Sequence, residues 1–147
     1  MALTLEEISA RMEIQDLLYR YAAIIDAKAF DQLGEVFTQD AFIDYSAMGG
    51  TAGNLSETIT FLQEVMAPLF PNSQHLNANM QITVSGKSDI QAASGRIMCF
   101  NPMEQSMGDD NRVWFCGLWY LDDYIKIDDQ WKIRKRVEEK SWFFNNP

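Results

Sequence analysis

Histidine is nearly missing from this chain: His75 is the one imidazole among 147 residues. Imidazole is the side chain whose ordinary titration falls near neutral pH, so general-base chemistry in that range rests on His75. Cysteine is almost as scarce. Cys99 and Cys116 both sit in apolar, strand-like runs, and two cysteines make neither a disulfide framework nor a zinc site, so reduced core thiols are expected. A lone histidine without a clustered carboxylate set is a poor transition-metal site, and no metal is implied. Basic residues are in deficit. Twelve Lys and Arg against 21 Asp and Glu leave a net charge of -9, which repels phosphate backbones and anionic lipid, so neither nucleic acid nor membrane is expected as a partner. No apolar run approaches the ~20 residues of a membrane span. The start, MALTLEEIS, has neither a basic n-region nor an apolar h-region, and a soluble, cytoplasmic protein is the expectation. The small-residue loop SAMGGTAG lacks the GK[ST] ending of a phosphate-binding loop. With no Gly-rich nucleotide or flavin fingerprint elsewhere, no cofactor is expected.

What is present is a chain that is 47% hydrophobic, enough for one domain over 1–147 that buries roughly 70% of the surface its unfolded form would expose. The front half reads as helix. Thr4 with Glu7 makes a capping box, after which Ile8, Met12, Leu18 and Ile25 recur at helical spacing, with Ile14, Leu17, Tyr21 and Ile24 widening the face. A helix over 5–26 is predicted. A shorter amphipathic segment from Phe30 to Phe37 follows, then a strand over 41–45, and a second capping signal, Asn54 with Glu57, opens a helix that Pro68 and Pro71 end. The back half changes period. Leu76, Ala78, Met80, Ile82 and Val84 alternate with His75, Asn77, Asn79, Gln81 and Thr83, a half-buried strand with one polar face. GRIMCF (95–100) and RVWFCGLWYL (112–121) are apolar on both faces, and a last strand runs from Trp131 to Trp142 and Phe143. Helices followed by strands joined at hairpin-length gaps predict an α+β domain on an antiparallel sheet. Three helices cover one face of such a sheet, so a second copy of the chain, a homodimer, is expected on the other.

Asp26 closes the apolar run YRYAAIID (19–26) at a helix C-terminus, where the macrodipole favours a cation. An unpaired buried carboxylate is costly; His75 is the expected partner. The plainer readings are an exposed helix-end aspartate and a histidine solvated beside Asn77 and Asn79. At roughly 100° per residue, Tyr19 is nearly aligned with Asp26 and Tyr21 is turned well away. Arg136 belongs either to a cavity or to an exposed basic stripe with Lys132 and Arg134.

The runs IQDLLYRYAAIIDAKAFDQLGEVFTQDAFIDYS (14–46), SQHLNAN (73–79) and DDQWKIRKR (128–136) resemble the SnoaL-like branch of the NTF2-like superfamily, which includes scytalone dehydratase, bile-acid 7α-dehydratase and hexachlorocyclohexane dehydrochlorinase. The resemblance implies a conical half-barrel, three helices against a curved sheet enclosing an apolar pocket. It places Asp26 and His75 at an Asp-His dyad, Tyr21 at the position of a catalytic tyrosine, Tyr45 at that of a pocket tyrosine, and Arg136 at that of a cavity arginine. The chain also departs from the pattern. Scytalone dehydratase has a second histidine on the strand placed here at 97–103, bile-acid dehydratases have a second acid there, and this chain has neither.

The expected chemistry is proton abstraction beside an activated carbon, by a cofactor-independent lyase or isomerase acting on a small hydrophobic substrate, dehydration leading. Polyketide cyclisation and a non-catalytic binding or subunit-like role are the alternatives. Catalysis is expected from His75, Asp26, Tyr21, Tyr45 and Arg136. Binding is expected from Ile25, Phe37, Phe61, Met66, Asn79 and Trp119, with Leu69 and Phe70 in the same apolar lining. Trp114, Trp119 and Tyr120 are expected as core or dimer contacts ahead of a substrate platform.

Overall fold

Thr4 opens the first helix reciprocally: its hydroxyl accepts the Glu7 N–H at 3.1 Å, and the Glu7 carboxylate accepts the Thr4 N–H at 2.6 Å. Two orphan donors of the helix end are thereby satisfied. From this cap the computed structural model, which describes residues 2–147, runs α1 over Leu5–Asp26, the predicted bounds. The buried stripe passes through Ala10, Ile14, Leu17, Tyr21 and Ile24. Ile8 and Met12, expected on the apolar face, are exposed, because the stripe that meets the sheet enters one step around the helix, at Ala10. The helix ends in a Schellman turn, with Ala29 N–H on the Ile24 carbonyl, Lys28 N–H on the Ile25 carbonyl and Lys28 itself left-handed at φ 56. That turn fixes Asp26 in the last helical position.

The 30–37 segment divides into a 3₁₀ turn, Phe30–Glu35, and the start of strand β1, Phe37–Asp44. A two-residue strand β2, Ala52–Gly53, leads to the second capped helix. There α2 (Leu55–Phe61) widens into a π turn over Leu62–Met66 and closes as α3, Ala67–Leu69. Pro68 lies in the last turn of this continuous helical path, which ends one residue later at Leu69, ahead of Pro71. Strands β3 (Asn72–Ser73), β4 (Leu76–Val84), β5 (Ala92–Met107), β6 (Asp110–Ile127) and β7 (Gln130–Phe144) complete the chain.

The sheet runs β2-β1-β7-β6-β5-β3, with β4 also on β5, and only β1 against β7 is parallel. The β5–β6 and β6–β7 turns are two residues long. Asp128 and Asp129, at φ 49 and 62, form the I′-type turn whose twist suits the strands it joins. Bulges between β6 and β7 at Gly117/Leu118 and Asp123/Tyr124 bend these long strands. The result is a curved, unclosed sheet with the three helical segments on its concave side, the α+β half-barrel expected.

Two findings revise the strand reading. In β4 the pairing slips between Ala78 and Gln81, and Asn79 takes a left-handed φ of 44. This bulge exchanges the faces. Before it Asn77 turns inward, giving its amide to the Leu18 carbonyl at 3.2 Å, while Leu76 is exposed; after it Ile82 is the buried residue. The polar face is therefore inward where His75 sits. The strands apolar on both sides do carry their second face outward. Phe100, Trp142 and Phe144 are exposed, and Phe115 stacks on Phe144 at 5.8 Å. The expectation of a second subunit rests on these rings. Cys99 and Cys116 are free and buried, and burial pushes both thiols up to about 12.

Candidate active site

The concave face and the α2–α3 segment enclose a largely apolar cavity of about 390 Å³. The π turn contributes Leu62, Val65 and Met66 to its lining; such widened turns recur at functional sites. His75 enters from the segment between β3 and β4. Its Nδ1 lies 2.6 Å from Asp26 Oδ1, and its backbone N–H donates to Asp26 Oδ2 at 2.9 Å. Ser73 Oγ donates to Asp26 Oδ1 at 3.1 Å. Burial opposes ionisation of Asp26, but the hydrogen bonds and charge of His75, with Ser73, outweigh it and hold the carboxyl below its ordinary value. These donors also answer the macrodipole that disfavours an acid at this helix end.

With the ring neutral, an ionised Asp26 accepts from Nδ1–H and Nε2 presents a lone pair. Nε2 accepts the Asn101 amide at 3.2 Å, a long bond. Asn101 Oδ1 is buried without a partner. A ligand that displaces this amide meets an imidazole nitrogen whose tautomer the Asp26 contact sets.

Deeper in, the Tyr21 and Tyr45 hydroxyls share a 2.7 Å hydrogen bond. Burial raises both phenols above their ordinary value, so both stay protonated donors at neutral pH. Beneath them lies Arg136, completely buried. Its guanidinium carbon is 4.2 Å from the Tyr21 ring centre and 3.8 Å from that of Tyr120, and Nε and Nη2 bind both oxygens of Asp122, at 2.8 and 2.6 Å. Tyr124 donates its hydroxyl to the same carboxylate at 2.7 Å.

Among the predicted residues, His75, Tyr21, Tyr45, Ile25, Phe61 and Met66 line the cavity, as do Leu69 and Phe70. Tyr19 is exposed and Tyr21 buried: the pocket gathers side chains from a wide arc of α1, so alignment with Asp26 is not required. Asp26 stands behind His75. Arg136 belongs neither to the cavity wall nor to an exposed stripe; it is stacked under the tyrosines. Three binding assignments are corrected. Phe37 packs edge-on to Tyr21 at 5.9 Å inside the core. Asn79 occupies the bulge and gives its amide to Met98 Sδ at 3.8 Å. Trp119 faces outward because Leu118 and Tyr120 take the inward positions of β6, and the Arg96 guanidinium covers its ring at 3.6 Å. Ser73, Asn101 and Glu138 were missed, although a lone polar Asn101 between apolar Phe100 and Pro102 was a visible signal.

Fold and cavity together define a cone of the NTF2-like type. The SnoaL-like domain family matches residues 6–137, and the chain belongs to that family. It is 45% identical over 138 residues to the uncharacterized protein Rv2910c of Mycobacterium tuberculosis, covering 94% of this chain and 90% of that one. Among solved structures it is similar to LinA, with a TM-score of 0.83 at 18% identity over 97% of this chain and 92% of that one. It is also similar to a Novosphingobium aromaticivorans protein named for scytalone dehydratase, with a TM-score of 0.80 at 17% identity over 95% and 89%. At these identities the structural likeness is one of fold.

Proposed function

We propose that this protein is a cofactor-independent lyase or isomerase acting on small hydrophobic ring compounds, with dehydration the leading reaction. One observation carries the reading: Asp26 holds Nδ1 of His75, leaving Nε2 as the acceptor on an apolar cavity. Neutral His75 removes a proton from a carbon beside a carbonyl. Asp26 then stabilises the imidazolium by the same 2.6 Å contact. The Tyr21–Tyr45 pair has one hydroxyl hydrogen left over, free for a developing oxyanion or a departing hydroxyl. Arg136 acts through the tyrosines it stacks against, as a positioning residue, and the binding assignment rests on Ile25, Phe61 and Met66. The structures similar in fold include ones named for dehydratase and dehydrochlorinase, which supports elimination as the reaction type. Ring closure on a polyketide could use the same dyad and differs in product, since dehydration loses water without a new carbon-carbon bond.

A screen of β-hydroxy ketones on ring frameworks tests this. The expected result is turnover that falls by about 10²–10⁴ in His75→Ala and in Asp26→Asn, the usual worth of a positioned acid-base group. Turnover that survives both substitutions refutes the assignment.

A further inference from the structure

Among the described residues, Glu138 is the one acidic side chain on the cavity wall, and the proposed chemistry leaves it unused. It follows Arg136 by two residues on β7, so both side chains leave the same face of the strand, and it lines the cavity. Its Oε2 is buried without a hydrogen-bond partner. The nearby cation makes no hydrogen bond to it: Arg136 gives two of its nitrogens to Asp122, and its third, Nη1, is buried without a partner.

The groups around Glu138 supply little else that is charged. Arg136 lies on its own strand, Asp44 and Tyr45 come from β1 and its end, Tyr21 from α1, Cys99 from β5, and Cys116 and Tyr120 from β6. The phenols and thiols in this set are neutral near pH 7 because burial raises them all. Burial likewise pushes the Glu138 carboxyl up to about 8, against the pull of Arg136 and with a smaller push from Asp44. His75 stands elsewhere on the wall. Strands β6 and β5 separate β7 from β4, a span on the order of 14 Å along the sheet and less across its concave face.

We infer that Glu138 is a carboxylic-acid hydrogen-bond donor of this cavity, and that its partner is the carbonyl oxygen of an uncharged ring ketone. This rests on the proposed lyase or isomerase reading and names its substrate class. An unpartnered buried acid on one side and the His75 lone pair on the other suit a neutral ring molecule whose acidic C–H lies beside its carbonyl. As the proton leaves carbon for Nε2, negative charge gathers on the carbonyl oxygen and the Glu138 hydrogen bond strengthens; the Glu138 proton itself stays on its carboxyl. An anionic ligand would bring a second negative charge near Asp44, and the lysine on the cavity wall, Lys28, already gives its ammonium to the Pro71 carbonyl at 2.8 Å.

Infrared difference spectroscopy on the full chain tests this without turnover. Between pH 6 and 10 the native protein should lose one protonated-carboxyl C=O band with a midpoint near 8, and Glu138→Gln should lack that band. Addition of 1-tetralone at pH 6.5 should shift the band to lower frequency, and 2-naphthoate should not. If no protonated-carboxyl band is present at pH 6.5 in native protein, the inference is overturned whatever the variant does. A band that 1-tetralone leaves in place, or absence of 1-tetralone binding, overturns the ligand assignment. Failure of the His75 base reading looks different, since the band and its shift would persist in a protein with no activity.

Discussion

Two acid-base pairs stand side by side in this molecule, Asp26 with His75 and Asp122 with Arg136. Both contacts are 2.6 Å, but the side chains are 27% and 11% exposed in the first and 0% in the second. The pairs use the same kind of contact for opposite ends. Asp122 binds a cation that never gives up its proton, under two aromatic rings, where the pair can only hold geometry. Asp26 binds a group that can exist with or without its second proton and whose far nitrogen faces a cavity. In the proposed reaction the working group is one lone pair, met only by a long Asn101 contact at the edge of an apolar space, and rigidity comes from the pair with no proton to exchange.

The largest effect that could break this contrast comes from Arg136→Met. It strands a buried Asp122 with Tyr124 as its remaining partner, and stability should fall by about 3–5 kcal/mol in denaturant unfolding. Adding Asp122→Leu should recover most of that loss, because apolar replacement of the whole buried pair is often neutral. A variant as stable as the native protein but without turnover would instead make Arg136 a participant in the chemistry. A smaller effect sharpens the other half. The Asp26 carboxyl is held below its ordinary value, so its contribution to stability is complete above the unfolded-state pKa and is lost as pH falls through the folded-state value. Thermal melts between pH 7 and 3 should show a shallower decline in Asp26→Asn than in the native protein.

How much of this was legible in the sequence depended on whether a residue obeyed one regular period. The α1 bounds follow from Thr4, Glu7 and a 22-residue helix, and Asp26 was visible because it stood against the helix dipole. His75 stood out as the lone imidazole. The rest was hidden by irregularities. One left-handed residue, Asn79, reverses which face of β4 is inward. On β7 the pairing passes from Ile133 to Lys135 across one step of β6, so Arg134 is an extra residue and Arg136 and Glu138 turn inward where simple alternation sends them out. Trp119 misled for another reason: a strand apolar on both faces carries no mark of which one meets the cavity.

The central claim is that Asp26 fixes the His75 proton on Nδ1 and leaves Nε2 as the base. Nitrogen NMR of the imidazole tests it most directly, since the chain has one histidine and so one pair of ring signals. With the ring neutral, native protein should show a protonated Nδ1 and a bare Nε2, and Asp26→Asn should shift toward the opposite tautomer. A native ring protonated at Nε2, or a tautomer unchanged by Asp26→Asn, would contradict the account.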